Sequence, residues 1–186
     1  MLAIDESEKI ERKGKVIMRN YTKNSNKNYY KENEKDTNCG SFALNIEEWY
    51  EPDDSLRDEN WVIAEEMSKS GDYTDKEIIE ALFERSVRGI LKDFDGEIRR
   101  VPNEKAELKN NEELIAFRIG TDFWFDPQSV DDLDVDFHFQ VLRDGRWQEK
   151  FGSGPVHDCE KNNLDKDWET TSFLYEKPTA FFAHKR

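Results

Sequence analysis

Asp136-Phe137-His138-Phe139-Gln140-Val141-Leu142-Arg143-Asp144-Gly145-Arg146-Trp147-Gln148-Glu149-Lys150-Phe151 alternates along its first half, breaks at Asp144-Gly145, and then returns. An Asp-Gly pair between two such runs is a signal for a two-residue hairpin. The stretch therefore predicts antiparallel strands over 136–142 and 146–151. Toward the carboxyl end, short apolar runs predict strands over 172–175 and 179–184. On the amino-terminal side they predict strands over 97–101 and 113–119. The segments 126–136 and 152–166 are polar and read as loops.

Further upstream the period changes from two to 3.6. Cys39, Phe42, Ala43, Ile46 and Trp49 form one helical stripe, with Thr37 or Asn38 as N-cap and Glu51-Pro52 as the stop. A helix is thus expected from Cys39 to about Tyr50. A second is expected over 58–69, with Trp61, Val62, Ala64 and Met67 inward. The third opens on Thr74-Asp75-Lys76-Glu77, a capping box, and carries Ile78, Ile79, Leu82, Phe83, Val87, Ile90 and Leu91 to Asp95-Gly96. Helices first and antiparallel strands second define an α+β fold, with helices packed on a sheet of about five strands. Residues 15–18 read as a short strand, and the Asn-, Lys- and Tyr-rich stretch 20–38 as a loop or arm. The expected organisation is a polar arm over 1–36 and one domain over 37–186.

The chain has 186 residues, of which 35% are hydrophobic and 38% charged, a polar balance for a globular protein. Five Trp, 6 Tyr and 12 Phe supply the missing core area. The net charge of -14 repels phosphate arrays, so direct nucleic-acid binding is not expected. The same charge suits a protein or peptide partner with a basic surface, or mimicry of DNA toward a nucleic-acid-binding protein. Two cysteines are too few for a disulfide framework, and no signal-peptide pattern or membrane-length apolar run is present. A cytoplasmic protein with free thiols and no membrane association is expected.

Cys39 is the candidate nucleophile. A thiolate at a helix start is favoured by the partial positive charge and free amides there, and the same amides can receive an oxyanion. Gly40 leaves the approach uncrowded. A small buried apolar residue is the plainer role for a free Cys. His138 is the candidate base. Phe137 and Phe139 point to the opposite face, so if the Cys39 helix covers the His138 face, thiol and imidazole meet. The returning strand offers Glu149 or, with a register one residue different, Gln148 to orient the imidazole.

These residues carry a resemblance. Asn38-Cys39-Gly40-Ser41-Phe42-Ala43-Leu44-Asn45 is similar to the "NCxxxALN" start of a group of bacterial and phage-borne papain-like proteins. Their aromatic-flanked His followed by "GxWxxKxG" resembles Asp136-Phe137-His138-Phe139 and Gly145-Arg146-Trp147-Gln148-Glu149-Lys150-Phe151-Gly152. Their final strand resembles Phe181-Phe182-Ala183-His184-Lys185. The order Cys on a helix, His on a strand and a polar residue on the next strand resembles the papain-like fold, particularly its NlpC/P60-type branch. The resemblance implies peptidase, amidase or acyl-transfer chemistry on Cys39 and His138, with Glu149 or Gln148 left for the third role and no cofactor expected; the small, Lys- and Asn-rich chain is compatible with a phage or bacterial effector. Asn38 would assist the oxyanion through its side-chain amide. Relatives often carry His or another polar residue where this chain has Glu149.

Three other readings compete. His157 and Cys159 could join Cys39 and His138 as a zinc site, but the close ligand spacings of such sites are absent. Asp131, Asp132, Asp134 and Asp136 could hold calcium, but lack the Gly and terminal Glu of an EF-hand. A non-catalytic acidic inhibitor or interaction protein, such as a phage anti-defence protein, is the alternative from another class, since fold does not fix function.

Overall fold

The structure, a computed structural model, describes residues 21–52, 66–67, 69–122, 135–159, 168, 173–175 and 178–186. It is a mixed helix and sheet protein built on one open antiparallel sheet. The helices are α1 (Lys27–Glu32), α2 (Cys39–Leu44) and α3 (Asp75–Asp93). The strands are β1 (Ile98–Val101), β2 (Glu112–Asp122), β3 (Val135–Arg143), β4 (Arg146–Lys150), β5 (Val156–Asp158), β6 (Phe173–Leu174) and β7 (Ala180–Lys185). Their order is β1-β7-β2-β3-β4-β5, with β6 also on β2. The expected strand at 15–18 and nearly all of the expected helix at 58–69 lie outside the described residues.

Local chemistry accounts for the best-defined elements. Asp144 and Gly145 have φ of 51° and 74°, so both central residues of the β3–β4 turn are left-handed, as a type I′ hairpin requires. The register Gln140↔Glu149 and Leu142↔Trp147 follows from that turn. Thr74 accepts from the Glu77 N–H and Glu77 reaches back to the Thr74 N–H, which starts α3.

The sheet is buried on both faces. Helices α1 to α3 cover one, where Phe42, Phe83, Ile90, Phe117, Phe139, Val141 and Phe182 form the larger core. Leu114, Ala116, Trp147, Cys159, Trp168, Tyr175 and Ala183 form a second core on the other. Alternation along β3 assigns Phe137, Phe139 and Val141 to the first face and His138, Gln140 and Leu142 to the second.

Three expectations change. The sheet has seven strands where about five were expected: six coincide with segments that read as strands, and β5 lies inside the expected 152–166 loop. Its His157 and Asp158 are exposed, so no apolar alternation marked it. Residues 27–32 of the expected arm are helical, opened by the Asn26 side chain on the Asn28 N–H, and Tyr30 is fully buried. Helix α2 stops at Leu44, well short of Tyr50, because Asn45 adopts the αL conformation at φ 57° and caps it.

Asn45 is held by more than its backbone. Its amide donates to Glu113 Oε2 at 3.0 Å, and its Oδ1 accepts from Arg143 at 2.7 Å. Arg143 also donates to the Phe42 carbonyl at 2.9 Å and to Glu113 Oε1 at 2.8 Å. The orphan carbonyls at the end of α2 are thereby satisfied from the sheet, which fixes the short helix against β2 and β3.

Candidate functional site around Cys39 and His138

The start of α2 is set by Asn38, 2% exposed. Its Oδ1 accepts from the Ser41 N–H at 3.0 Å while Ser41 Oγ accepts from the Asn38 N–H at 3.1 Å. The Asn38 amide donates to the Tyr50 carbonyl at 2.6 Å, and Ser41 Oγ donates to the Glu48 carbonyl at 2.6 Å. These bonds fold the chain after α2 back over its own start. A Cβ on Gly40 would lie 2.8 Å from the Tyr50 ring, so Gly40 makes room for this returning segment and not for a ligand. Trp49, expected inward on a long helix, stands 46% exposed as a result.

Asn38→Ala removes the cap and the amide bond to the Tyr50 carbonyl. The expected loss is about 2 kcal/mol of stability by urea unfolding. Asn38→Asp, which keeps the cap acceptor, should recover part of it.

Cys39 is 4% exposed and belongs to the helix-covered core. Its thiol donates to the Phe137 carbonyl at 3.8 Å, at the margin of β3 beyond the last β3–β4 register pair, Gln140↔Glu149. Burial, with the Asp136 charge second, pushes the thiol up to about 12, against the pull of the Phe139 and Gly40 N–H groups and Lys150. The expected thiolate at the helix start is therefore not the resting form. A six-residue helix contributes too little to offset burial of the anion.

His138 is 1% exposed and sits on the opposite face from α2, in an aromatic box. Phe151 stacks on it at 4.6 Å, with Tyr175 at 5.2 Å and Trp168 edge-on at 5.8 Å. Tyr175 reaches it by lying on Gly120, where any Cβ would run into the ring. His138 Nε2 lies 2.9 Å from Glu149 Oε2, which also accepts from Gln140 Nε2 at 2.9 Å. Glu149 Oε1 lies 3.0 Å from His157 Nε2. Because Glu149 is a carboxylate, His138 presents Nε2–H to it, which leaves Nδ1 as the lone-pair nitrogen.

Helix α2 does not cover the His138 face, contrary to expectation. Helix α2 packs on the Phe139 side, and no hydrogen bond joins Cys39 to His138. The two residues nevertheless border one cavity of about 260 Å³, lined also by Trp49, Asp136, Phe151 and Tyr175. Cys39 reaches it from the α2 side, where the thiol lies at the margin of β3. Gln148 falls on the other side of β4 and pairs with Asp158 in register. Asn38 borders the cavity too, but its amide is engaged with Tyr50, so its visible role is to hold the helix start.

His157, weighed from the sequence only as a zinc ligand, instead braces Glu149 from β5. Tyr175 and Asp136 were also missed as a pair: the phenol donates to Asp136 Oδ2 at 2.6 Å. Neither contact has a sequence signal, since both partners are brought together by strand order. Cys159 lies in the second core, on the far side of the sheet from Cys39. Among the described residues no cluster of His, Cys, Asp or Glu is arranged to hold a metal ion. The calcium candidates Asp131, Asp132 and Asp134 lie outside them, and Asp136 is in β3. Among the same residues no helix is long and apolar enough to cross a membrane.

Comparison with known proteins returns nothing: no protein-family model, curated protein or solved structure matches the chain.

Proposed function

We propose that the chain is a cysteine hydrolase or acyl transferase of papain-like, NlpC/P60-type kind, acting on an amide or peptide carbonyl. The observation that carries this reading is the shared cavity, with Cys39 on one wall and His138, held through Nε2 by Glu149, on another. That tautomer leaves Nδ1 able to accept a proton. Since the resting group is a thiol, the proton passes from Sγ to His138 Nδ1 as Sγ bonds the carbonyl carbon, after Cys39 rotates away from Phe137. The imidazolium is stabilised by Glu149 and returns the proton to the leaving amine. The Cys39 backbone N–H receives the oxyanion, and water or an acceptor nucleophile then releases the acyl group.

The test is covalent labelling by peptidyl electrophiles that mimic an acyl substrate, with sites located by mass spectrometry. Cys39 should be labelled in preference to Cys159, and His138→Ala should slow labelling about 100-fold or more. Equal labelling of both cysteines, or indifference to His138→Ala, overturns the reading.

The second reading is a non-catalytic acidic interaction protein on the same scaffold. The burial of the resting thiol favours it. Its mark would be a biological activity that survives Cys39→Ala and weakens with salt.

A further inference from the structure

We propose that this cavity takes a substrate carrying a cationic group, an amine or guanidinium, next to the reacting carbonyl, seated between the Asp136 carboxylate and Trp49. The identity of the carbonyl as the reacting group rests on the cysteine reading above; the preference for a cation does not.

Four observations converge. Among the described residues, the charged side chains lining the cavity are Glu51 and Asp136, with no Lys or Arg. Asp136 accepts the Tyr175 hydroxyl at 2.6 Å and pairs with no cation among the described residues. Trp49 is one of two large hydrophobic side chains exposed among those residues, and it borders this cavity. An indole beside a carboxylate is a favourable setting for an organic cation, which gains from the ring quadrupole and the charge together. The fourth is His138, 1% exposed, on a wall of the same cavity.

The arrangement has a chemical consequence. Asp136 is, after burial, the largest influence opposing ionisation of Cys39. A cation docked on Asp136 cancels that opposition, so the correct substrate brings its own activation of the thiol and a neutral or anionic one does not.

Methanethiosulfonates of different charge report this directly. The Cys39 sulfur attacks the reagent's sulfenyl sulfur, forming a disulfide and releasing methanesulfinate, so no catalytic base or substrate is needed. At about 0.15 M salt, where the Debye length is about 8 Å, distant surface charge is screened. The trimethylammonium reagent should modify Cys39 at least about tenfold faster than the sulfonate reagent, each rate normalised to a small free thiol. Asp136→Asn should reduce that ratio severalfold and speed the neutral methyl reagent, while Trp49→Ala should slow the cationic reagent alone. A ratio near one, or a ratio unchanged in Asp136→Asn, overturns the proposal. Failure of the enzyme reading would appear separately, as indifference of acyl-probe labelling to His138→Ala.

Discussion

Glu149→Ala is expected to lower stability by about 3–5 kcal/mol at pH 7, the range for removing one member of a buried ionic cluster. Glu149 is 3% exposed and receives His138, Gln140 and His157. Its removal takes the Glu149 acceptor from His138 and Gln140, which are 1% and 0% exposed. Burial by itself would raise the Glu149 pKa, but the bonds from His138 and Gln140 and the His138 and His157 charges hold it below its ordinary value. A carboxyl depressed in the folded state adds stability that is present above its unfolded value and lost as pH falls through the folded one. The gap between wild type and Glu149→Ala in urea unfolding should therefore narrow from pH 7 to pH 3. Glu149→Gln keeps an acceptor without the charge and should fall between the two. The labelling of Cys39 should drop with it, because the His138 tautomer is no longer enforced. A Glu149→Ala protein within about 1 kcal/mol of wild type would mean that the carboxylate does not organise this face.

Legibility in the sequence followed the range of the interactions involved. The β3–β4 hairpin and α3 could be read because their determinants, Asp144-Gly145 and the Thr74/Glu77 box, lie within a few residues. The end of α2 could not be read, since it depends on Asn38 and Ser41 reaching Tyr50 and Glu48, and on Arg143 reaching Asn45 from β3. The periodicity that carried a helix on to Trp49 was real as a pattern, but αL at Asn45 ended it.

The candidate site divides in the same way. Cys39 and His138 stand out by residue type and local placement, and Glu149 was the favoured neighbour because hairpin register is local. That His138 lies opposite Phe137 and Phe139 was legible, but what covers its face was not. Polar residues alternating with Phe suggest a single buried face, yet Trp168 and Tyr175, more than 25 residues downstream, bury the other. Two-sided burial of an antiparallel sheet needs a second set of apolar residues; here Cys159 lay in a segment that reads as a loop, Trp168 in no expected element and Tyr175 at the end of an expected strand, so nothing local tied them to one face.

The larger pH effect should come from a histidine outside the cavity. His184, on β7, is fully buried between Ile98 of β1 and Glu113 of β2. Lys23 Nζ lies 3.4 Å from its Nε2, so the ammonium donates there and the proton of the neutral ring sits on Nδ1, which has no partner. Burial first, then the charges of Lys23 and Arg143, lower its pKa from 6.5 to about 3. Charging the ring would place a proton on Nε2 against an ammonium that is itself held by Glu97 at 2.7 Å. A depressed histidine leaves the unfolded chain binding the proton first, so its contribution is intact above pH 6.5 and declines as pH falls toward the folded value. Between pH 6.5 and 4.5 this single group should remove roughly 2–3 kcal/mol, at about 1.4 kcal/mol per pH unit. That window opens well above the carboxylate range, which separates it from the Glu149 effect. His184→Leu, similar in volume and with no Nδ1 to satisfy, should stay within about 1 kcal/mol of wild type at pH 7 and exceed it at pH 4.5. Urea unfolding of both proteins across that window measures the difference. Parallel pH dependences would mean that His184 is charged in the folded protein, and the packing of Lys23 and Phe94 around it would then have to open on protonation.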